Sequence, residues 1–173
     1  MCIRDRFTQV WWSVRPHHRF GTVEVRICDA QTEAWQSLAI SSLTVGLIAH
    51  LARIHDEGMP LPVLANRYIE ENLWRAIRFG LDGKLVDWAM GEEVTAADAV
   101  RRLVELAAPH ADALGLSPHL RGVERMLREG NGAQQQAKAH VKGETLPGVF
   151  AGTVAQARAA ALGETGDMQE DEA

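Results

Sequence analysis

Cysteine is nearly missing: Cys2 and Cys28 are the only two in 173 residues. Two thiols cannot make a disulfide framework or a four-thiolate metal site, and their scarcity fits a reducing compartment, so a cytoplasmic location is expected. Positive charge is short as well. Eighteen Lys and Arg stand against 23 Asp and Glu, a formal net charge of −5, which argues against a nucleic-acid partner or an anionic membrane surface. The most apolar stretch, 34–52, is interrupted by Gln36, Ser37, Ser41, Ser42 and His50; a buried helix of a soluble protein is expected there, not a membrane span. The opening MCIRDR has no apolar segment behind its charges and so does not read as a secretory signal. Residues 7–29 are the only stretch rich in strand signals, and no internal repeat is visible.

What remains is an ordinary globular balance, 46% hydrophobic and 24% charged, enough to pack a core in one domain or a large piece of one. Residues 1–6 have no periodicity or turn logic and read as a non-native leader. Residues 7–162 read as the domain piece, and the acidic end, 163–173, as a disordered tail.

The order of elements follows from periodicity. Phe20 to Asp29 alternates: Thr22, Glu24, Arg26 and Cys28 point one way, and Val23, Val25 and Ile27 point the other, toward a core. Trp11-Trp12-Ser13-Val14 predicts a short preceding strand, joined to it through Arg15-Pro16-His17-His18. A central helix, apolar nearly all round, is predicted from a cap at Asp29 or Thr32 to about Asp56. A second helix is predicted from Pro62 to Phe79, stopping at Gly80. Lys84–Trp88 reads as a short extended piece. Thr95-Ala-Ala-Asp98 resembles a capping box opening a helix to about Ala108, before Pro109. Further helices are predicted from Ser117-Pro118 to near Gly130, over Ala133–Val141, and over Gly148–Ala161. The fold class is α+β, mostly helical, with one or two antiparallel strands that need neighbours from a larger sheet.

The chemistry concentrates on the alternating strand. Glu24 and Arg26, two apart, project from one face. A carboxylate beside a guanidinium suits a metal–nucleotide site: the carboxylate ligates Mg²⁺ and the guanidinium forks onto phosphate oxygens, with Arg15 and Arg19 adding positive charge. On spacing alone the commoner alternative is a solvated face with a cross-strand ion pair, which contributes little. Asn72, Arg75 and Arg78 share a helix face that either lines a site or anchors the sheet through ion pairs. Asp82 reads as a turn cap, and Asn131-Gly132 as helix-breaking turn chemistry. His17 and His18 point apart on an extended chain and so do not share a metal. His50 and His55 have no HExxH-like spacing. Cys28 lacks a base partner and reads as structural, as do the five tryptophans.

Three runs carry a family resemblance. WWSVRPHHRFGTVEVRICDAQT resembles the signature of the carboxylate–amine ligase branch of the glutamate–cysteine ligase type 2 family. Asn72–Gly83 (NLWRAIRFGLDG) resembles its next signature, and Gly130–Gln134 (GNGAQ) a third, in family order. The resemblance implies a glutamine-synthetase-like fold, whose antiparallel sheet holds metal and nucleotide on its concave face. It also implies an ATP- and Mg²⁺-dependent ligase joining L-glutamate to an amine such as L-cysteine through an acyl phosphate. The family's Glu-x-Arg strand falls on Glu24, as Mg²⁺ ligand, and Arg26, on the transferring phosphoryl group. Arg15 matches the arginine placed near ATP or the acyl phosphate. His18 stands where the pattern has proline, which loosens the loop holding Arg15 and Arg19. The chain then reads as the C-terminal part of such an enzyme, inactive alone. It acts on small molecules, without nucleic-acid or membrane partners, and is open to homo-oligomer formation. The alternatives are a non-catalytic helical interaction module, or the same chemistry on a different amine.

Overall fold

The structure, a computed structural model, describes residues 13–17, 19–61 and 63–163. They divide between two units, one ending at Ala30 and the other beginning at Gln31.

The first unit holds an antiparallel hairpin, β1 (Val14–His17) and β2 (Thr22–Val25). Its register sets Val14 opposite Val25, Arg15 opposite Glu24, Pro16 opposite Val23 and His17 opposite Thr22. Gly21, at φ 60°, supplies the left-handed residue the turn requires. Arg15-Pro16-His17 therefore belongs to a strand and not to the connection expected from the sequence; Pro16 has no N–H, so it is confined to positions where the ladder does not need one. Trp11, Trp12 and His18 lie outside the described residues. The alternation of β2 holds, but the ladder stops at Val25, with one further backbone bond from Arg26 N–H to the Ser13 carbonyl (2.7 Å). Of the apolar face expected against a core, Val25 is half-buried, whereas Val23 (49%) and Ile27 (59%) are exposed, as is Val14 opposite Val25 (48%).

The second unit is built on helices α1 (Ala34–Asp56), α2 (Asn66–Phe79), α3 (Ala96–Ala113), α4 (Ser117–Glu129), α5 (Gly132–Val141) and α6 (Leu146–Ala161). A second antiparallel hairpin, β3 (Lys84–Asp87) and β4 (Glu92–Thr95), sits between α2 and α3. The described residues are thus mostly helical with two small antiparallel sheets, an α+β arrangement with four strands among them where one or two were expected.

α1 packs against both α3 and α4. The core of that packing is Ala39, Ala111, Leu120 and Val123, flanked by Leu43, Val100, Val104, Leu116 and Met126. Small residues let the backbones close in. A methyl group built on Gly46 would stand 2.8 Å from the Ala107 methyl, and one on Gly122 would stand 2.9 Å from the Ala39 methyl. α1 is central, as its composition predicts, but only one face of it is buried, through Gln36, Ala39, Ser42 and Gly46. Leu38, Val45, Ile48 and Leu51 on its other faces are each at least 40% exposed. Among the described residues it is the one helix long and apolar enough to cross a membrane by length and composition.

Helix boundaries obey their caps. α1 is capped by Glu33, one residue beyond Thr32 and four beyond Asp29, the two caps expected from the sequence; the Glu33 N–H donates to Gln36 Oε1 (3.0 Å). α2 starts at Asn66, after the extended Ala65; Pro62, its expected first turn, lies outside the described residues. It ends at Phe79 as predicted, with Gly80 at φ 56°. α3 runs to Ala113, five residues beyond the expected stop, and carries Pro109 inside it. Proline there removes one helical hydrogen bond without ending the helix, and Ala107 and Ala111 on either side of it are fully buried, so tertiary packing holds the turn together. α5 opens on Asn131 and α6 on Thr145, each accepting the amide of the third residue on, from Gln134 (2.9 Å) and Gly148 (3.2 Å) respectively.

Candidate functional site

The alternation of two short strands places three predicted residues together. Arg15 and Glu24 are directly opposite across the hairpin, and Arg26 follows Glu24 by two on the same face. The Glu24 carboxylate lies between the two guanidinium groups, 3.7 Å from Arg15 Nε and 3.4 Å from Arg26 Nε. Both contacts are longer than those of a hydrogen-bonded fork. The Glu24 side chain is 50% exposed and that of Arg26 33%, so neither is turned into an interior. Arg19 is on the turn and lies over the Phe20 ring, 5.7 Å from its centroid. His17 stacks on the same ring at 4.6 Å, and its Nδ1 is buried without a hydrogen-bond partner. Cys28 is an exposed thiol.

A Mg²⁺ ion asks for oxygen donors in near-octahedral array. Glu24 fits as one such donor. Among the described residues no group of three or more His, Cys, Asp or Glu is placed to hold a metal, so the hairpin offers a ligand and not a complete site.

In the second unit the polar face of α2 is structural. Asn72 donates from Nδ2 to the Val86 carbonyl (2.9 Å) and accepts from the Val86 amide at Oδ1 (2.8 Å). One side chain thereby gives β3 the paired contacts that another strand would give. Arg75 bridges Glu71 and Glu93 at 2.7 Å each. The hydrogen bond to Glu93, then that to Glu71, raises the Arg75 pKa, and the same bond to Arg75 lowers that of Glu93. Arg78 lies over Phe79. The helix anchors the hairpin, which is the structural alternative the spacing left open. Asn72→Ala is expected to cost about 2 kcal/mol, because it strands a donor and an acceptor on half-buried Val86. Urea unfolding reads the loss, and the Val86 amide should lose its protection from hydrogen exchange; an unchanged midpoint would show that water replaces Asn72 at no cost.

The second and third signature runs meet through Gln134. Its Oε1 accepts from the Asn131 amide (3.1 Å), and its Nε2 donates to Asp82 Oδ1 (2.7 Å), 52 residues away in sequence. Asp82 is therefore a tie between the turn after α2 and the start of α5, beyond the turn cap read from sequence. Sequence reasoning missed this bond, although both residues lie in the quoted signatures. It also missed Glu33, which accepts from Trp35 Nε1 (2.8 Å) and from Gln156 of α6.

The other arginines near β4 are committed to carboxylates. Arg101 bonds Asp98 and Glu124, and Arg102 bonds Asp87. The Thr95 hydroxyl, then Arg101, lowers the Asp98 pKa, and Thr95 Oγ1 accepts the Asp98 amide (3.0 Å) as the capping box predicts.

Comparison with known proteins agrees with the three signatures. The sequence model of glutamate-cysteine ligase family 2 matches residues 1–160. A relative from Solibacter usitatus, under the provisional name glutamate–cysteine ligase 2, is 36% identical over 79% of this chain and 35% of its own length. One from Sorangium cellulosum, under the same name, is 35% identical over 86% of this chain and 39% of its own. One from Rubrobacter xylanophilus, named glutamate–cysteine ligase 2-1 in the same provisional way, is 35% identical over 92% of this chain and 42% of its own. The chain thus spans 35% to 42% of the length of these relatives. With the family model covering nearly the whole chain and the signature residues standing where they do, the chain belongs to glutamate-cysteine ligase family 2.

Proposed function

We propose that this chain is the C-terminal part of an ATP-dependent carboxylate–amine ligase that joins L-glutamate to L-cysteine as γ-glutamylcysteine. The observation that carries this reading is the grouping of Arg15, Glu24 and Arg26 on one face of the hairpin, in a chain of the ligase family. The γ-carboxylate of glutamate attacks the terminal phosphorus of ATP and ADP leaves. The amine then attacks the acyl carbon, phosphate leaves, and the ammonium proton is lost. Mg²⁺, when bound, neutralises the charge that builds on the phosphate oxygens. Glu24 supplies one of its ligands. Arg26 holds the transferring phosphoryl group, Arg15 the ATP or acyl-phosphate oxygens, and Arg19 adds charge at the turn. The sheet belongs to a glutamine-synthetase-like fold in this reading, and the exposed apolar face of the hairpin is where further structure covers it. The net charge of −5 and the small polar substrates fit a cytoplasmic enzyme with neither nucleic acid nor membrane as partner.

Mg²⁺ in such sites is held by one or two carboxylates together with substrate phosphates and water. The hairpin contributes Glu24, and because the chain spans 35% to 42% of the relatives' length, the glutamate pocket and any further ligand are assigned in this reading to the rest of a protein of that length. The 173-residue chain should release no phosphate from ATP with glutamate and cysteine, whereas a full-length protein containing it should. Turnover by the chain alone would refute the incompleteness. A full-length protein that binds no Mg²⁺-ATP would instead favour a helical interaction module, for which the contacts of Glu24 with Arg15 and Arg26 are surface pairing only. Replacing cysteine by other amines in the same assay decides the acceptor.

A further inference from the structure

Within the second unit, α1 and α3 bring two imidazoles face to edge. His50 Nδ1 and His110 Nε2 are 3.3 Å apart, with ring centroids at 5.3 Å and planes at 63°. The residues are 60 apart in sequence and both half-buried. At that distance one ring nitrogen donates to the lone pair of the other in the tautomer that sets a proton between them.

We infer that this pair is a two-point clamp for a divalent transition metal of the zinc class, which would tie α1 to α3. Imidazole nitrogens bind Zn²⁺ at about 2.0–2.1 Å, and two of them at a tetrahedral angle stand roughly 3.3–3.4 Å apart. The observed 3.3 Å is that bite, so the helices need not move. The rings turn only enough to aim both lone pairs at one point, and the donor ring takes the tautomer protonated at its other nitrogen, by exchange with water, so that both imidazoles bind the ion neutral. Two nitrogen donors select borderline ions such as Cu²⁺, Ni²⁺ and Zn²⁺ over Mg²⁺ and Ca²⁺, which want oxygen. No third His, Cys, Asp or Glu completes the group among the described residues, so the remaining positions go to water or an added ligand. The site is independent of Glu24 and of the ligase reading.

The test is thermal unfolding of the tag-free 173-residue chain at neutral pH, with excess Zn²⁺, Mg²⁺ or chelator. An ion that binds only the folded chain raises the midpoint, so Zn²⁺ should raise it by several degrees and Mg²⁺ should leave it unchanged. His50→Gln and His110→Gln should each abolish the Zn²⁺ shift, and His55→Gln, an exposed residue on α1, should retain it. A shift that survives both substitutions, or no shift at all, overturns the clamp. Should a variant fail to fold, imidazole nitrogen spectra of the unaltered chain decide: of its seven histidines, His50 at Nδ1 and His110 at Nε2 must respond first to Zn²⁺, and any other order overturns the assignment.

Discussion

Gly46→Leu should lower the unfolding midpoint of this chain by on the order of 10 °C. The reason lies in the distance between α1 and α3. Even a methyl group on Gly46 would stand 2.8 Å from the Ala107 methyl, 2.9 Å from the Ala107 carbonyl oxygen and 3.2 Å from its Cα. Two of those atoms are backbone, so a side-chain rotation cannot relieve the overlap; the helices must part. Overpacking of this kind costs about 1–3 kcal/mol, and leucine adds three carbons to the methyl already in conflict. Gly46→Ala is the finer measurement. Alanine recovers about 1 kcal/mol of helix propensity over glycine, which offsets part of the overpacking cost of about 1–3 kcal/mol and leaves a net cost of about 0–2 kcal/mol. Ala107→Gly in the same chain removes the methyl–methyl contact but keeps the carbonyl contact, so rescue should be partial. A Gly46→Ala chain more stable than the original would mean that propensity alone acts there and that the helices do not meet at Gly46.

The same contact explains what periodicity could and could not reveal. An apolar stretch such as 34–52 announces a helix that packs, and Gly46 and Ala107 are ordinary small residues within their own helices. That they meet is a property of two segments about 60 residues apart, which local pattern does not carry. Pro109 shows the converse. Read locally it ends a helix, yet Ala107 and Ala111 are buried on either side of it and α3 continues to Ala113. Capping chemistry was legible because it is local: Thr95 with Asp98, and Gly80 beyond Phe79, act where the sequence places them. β4 escaped notice because Glu92-Glu93-Val94-Thr95 has one apolar residue and depends on β3 for its shape. In the candidate site, period-two alternation placed Glu24 and Arg26 on one face, and Arg15 joined them only when the register set it opposite Glu24. Arg19, read from the sequence as further positive charge for the same phosphates, lies over Phe20 on the turn.

In a full-length ligase containing this hairpin, Glu24→Gln should lower kcat by at least roughly a hundredfold, since loss even of groups that merely support a metal ligand costs 10–100-fold. The variant keeps the size of the side chain and removes its charge, so the Mg²⁺ concentration needed for half-maximal rate should rise as well. Arg26→Lys keeps the charge and removes the planar fork, so it should depress kcat more than it raises KM for glutamate. A surface ion pair predicts something different for both changes. Exposed pairs of this length contribute about 0–1 kcal/mol to stability, and Glu24, half exposed and 3.4–3.7 Å from its partners, lies at the weak end. Both variants should therefore fold with nearly unchanged midpoints under either reading, which makes rate the discriminating quantity. Full activity in Glu24→Ala would remove the metal role. It would leave the carboxylate as a spacer that keeps Arg15 and Arg26 from repelling each other, and Arg26→Lys would then be the substitution that shows whether the guanidinium meets phosphate.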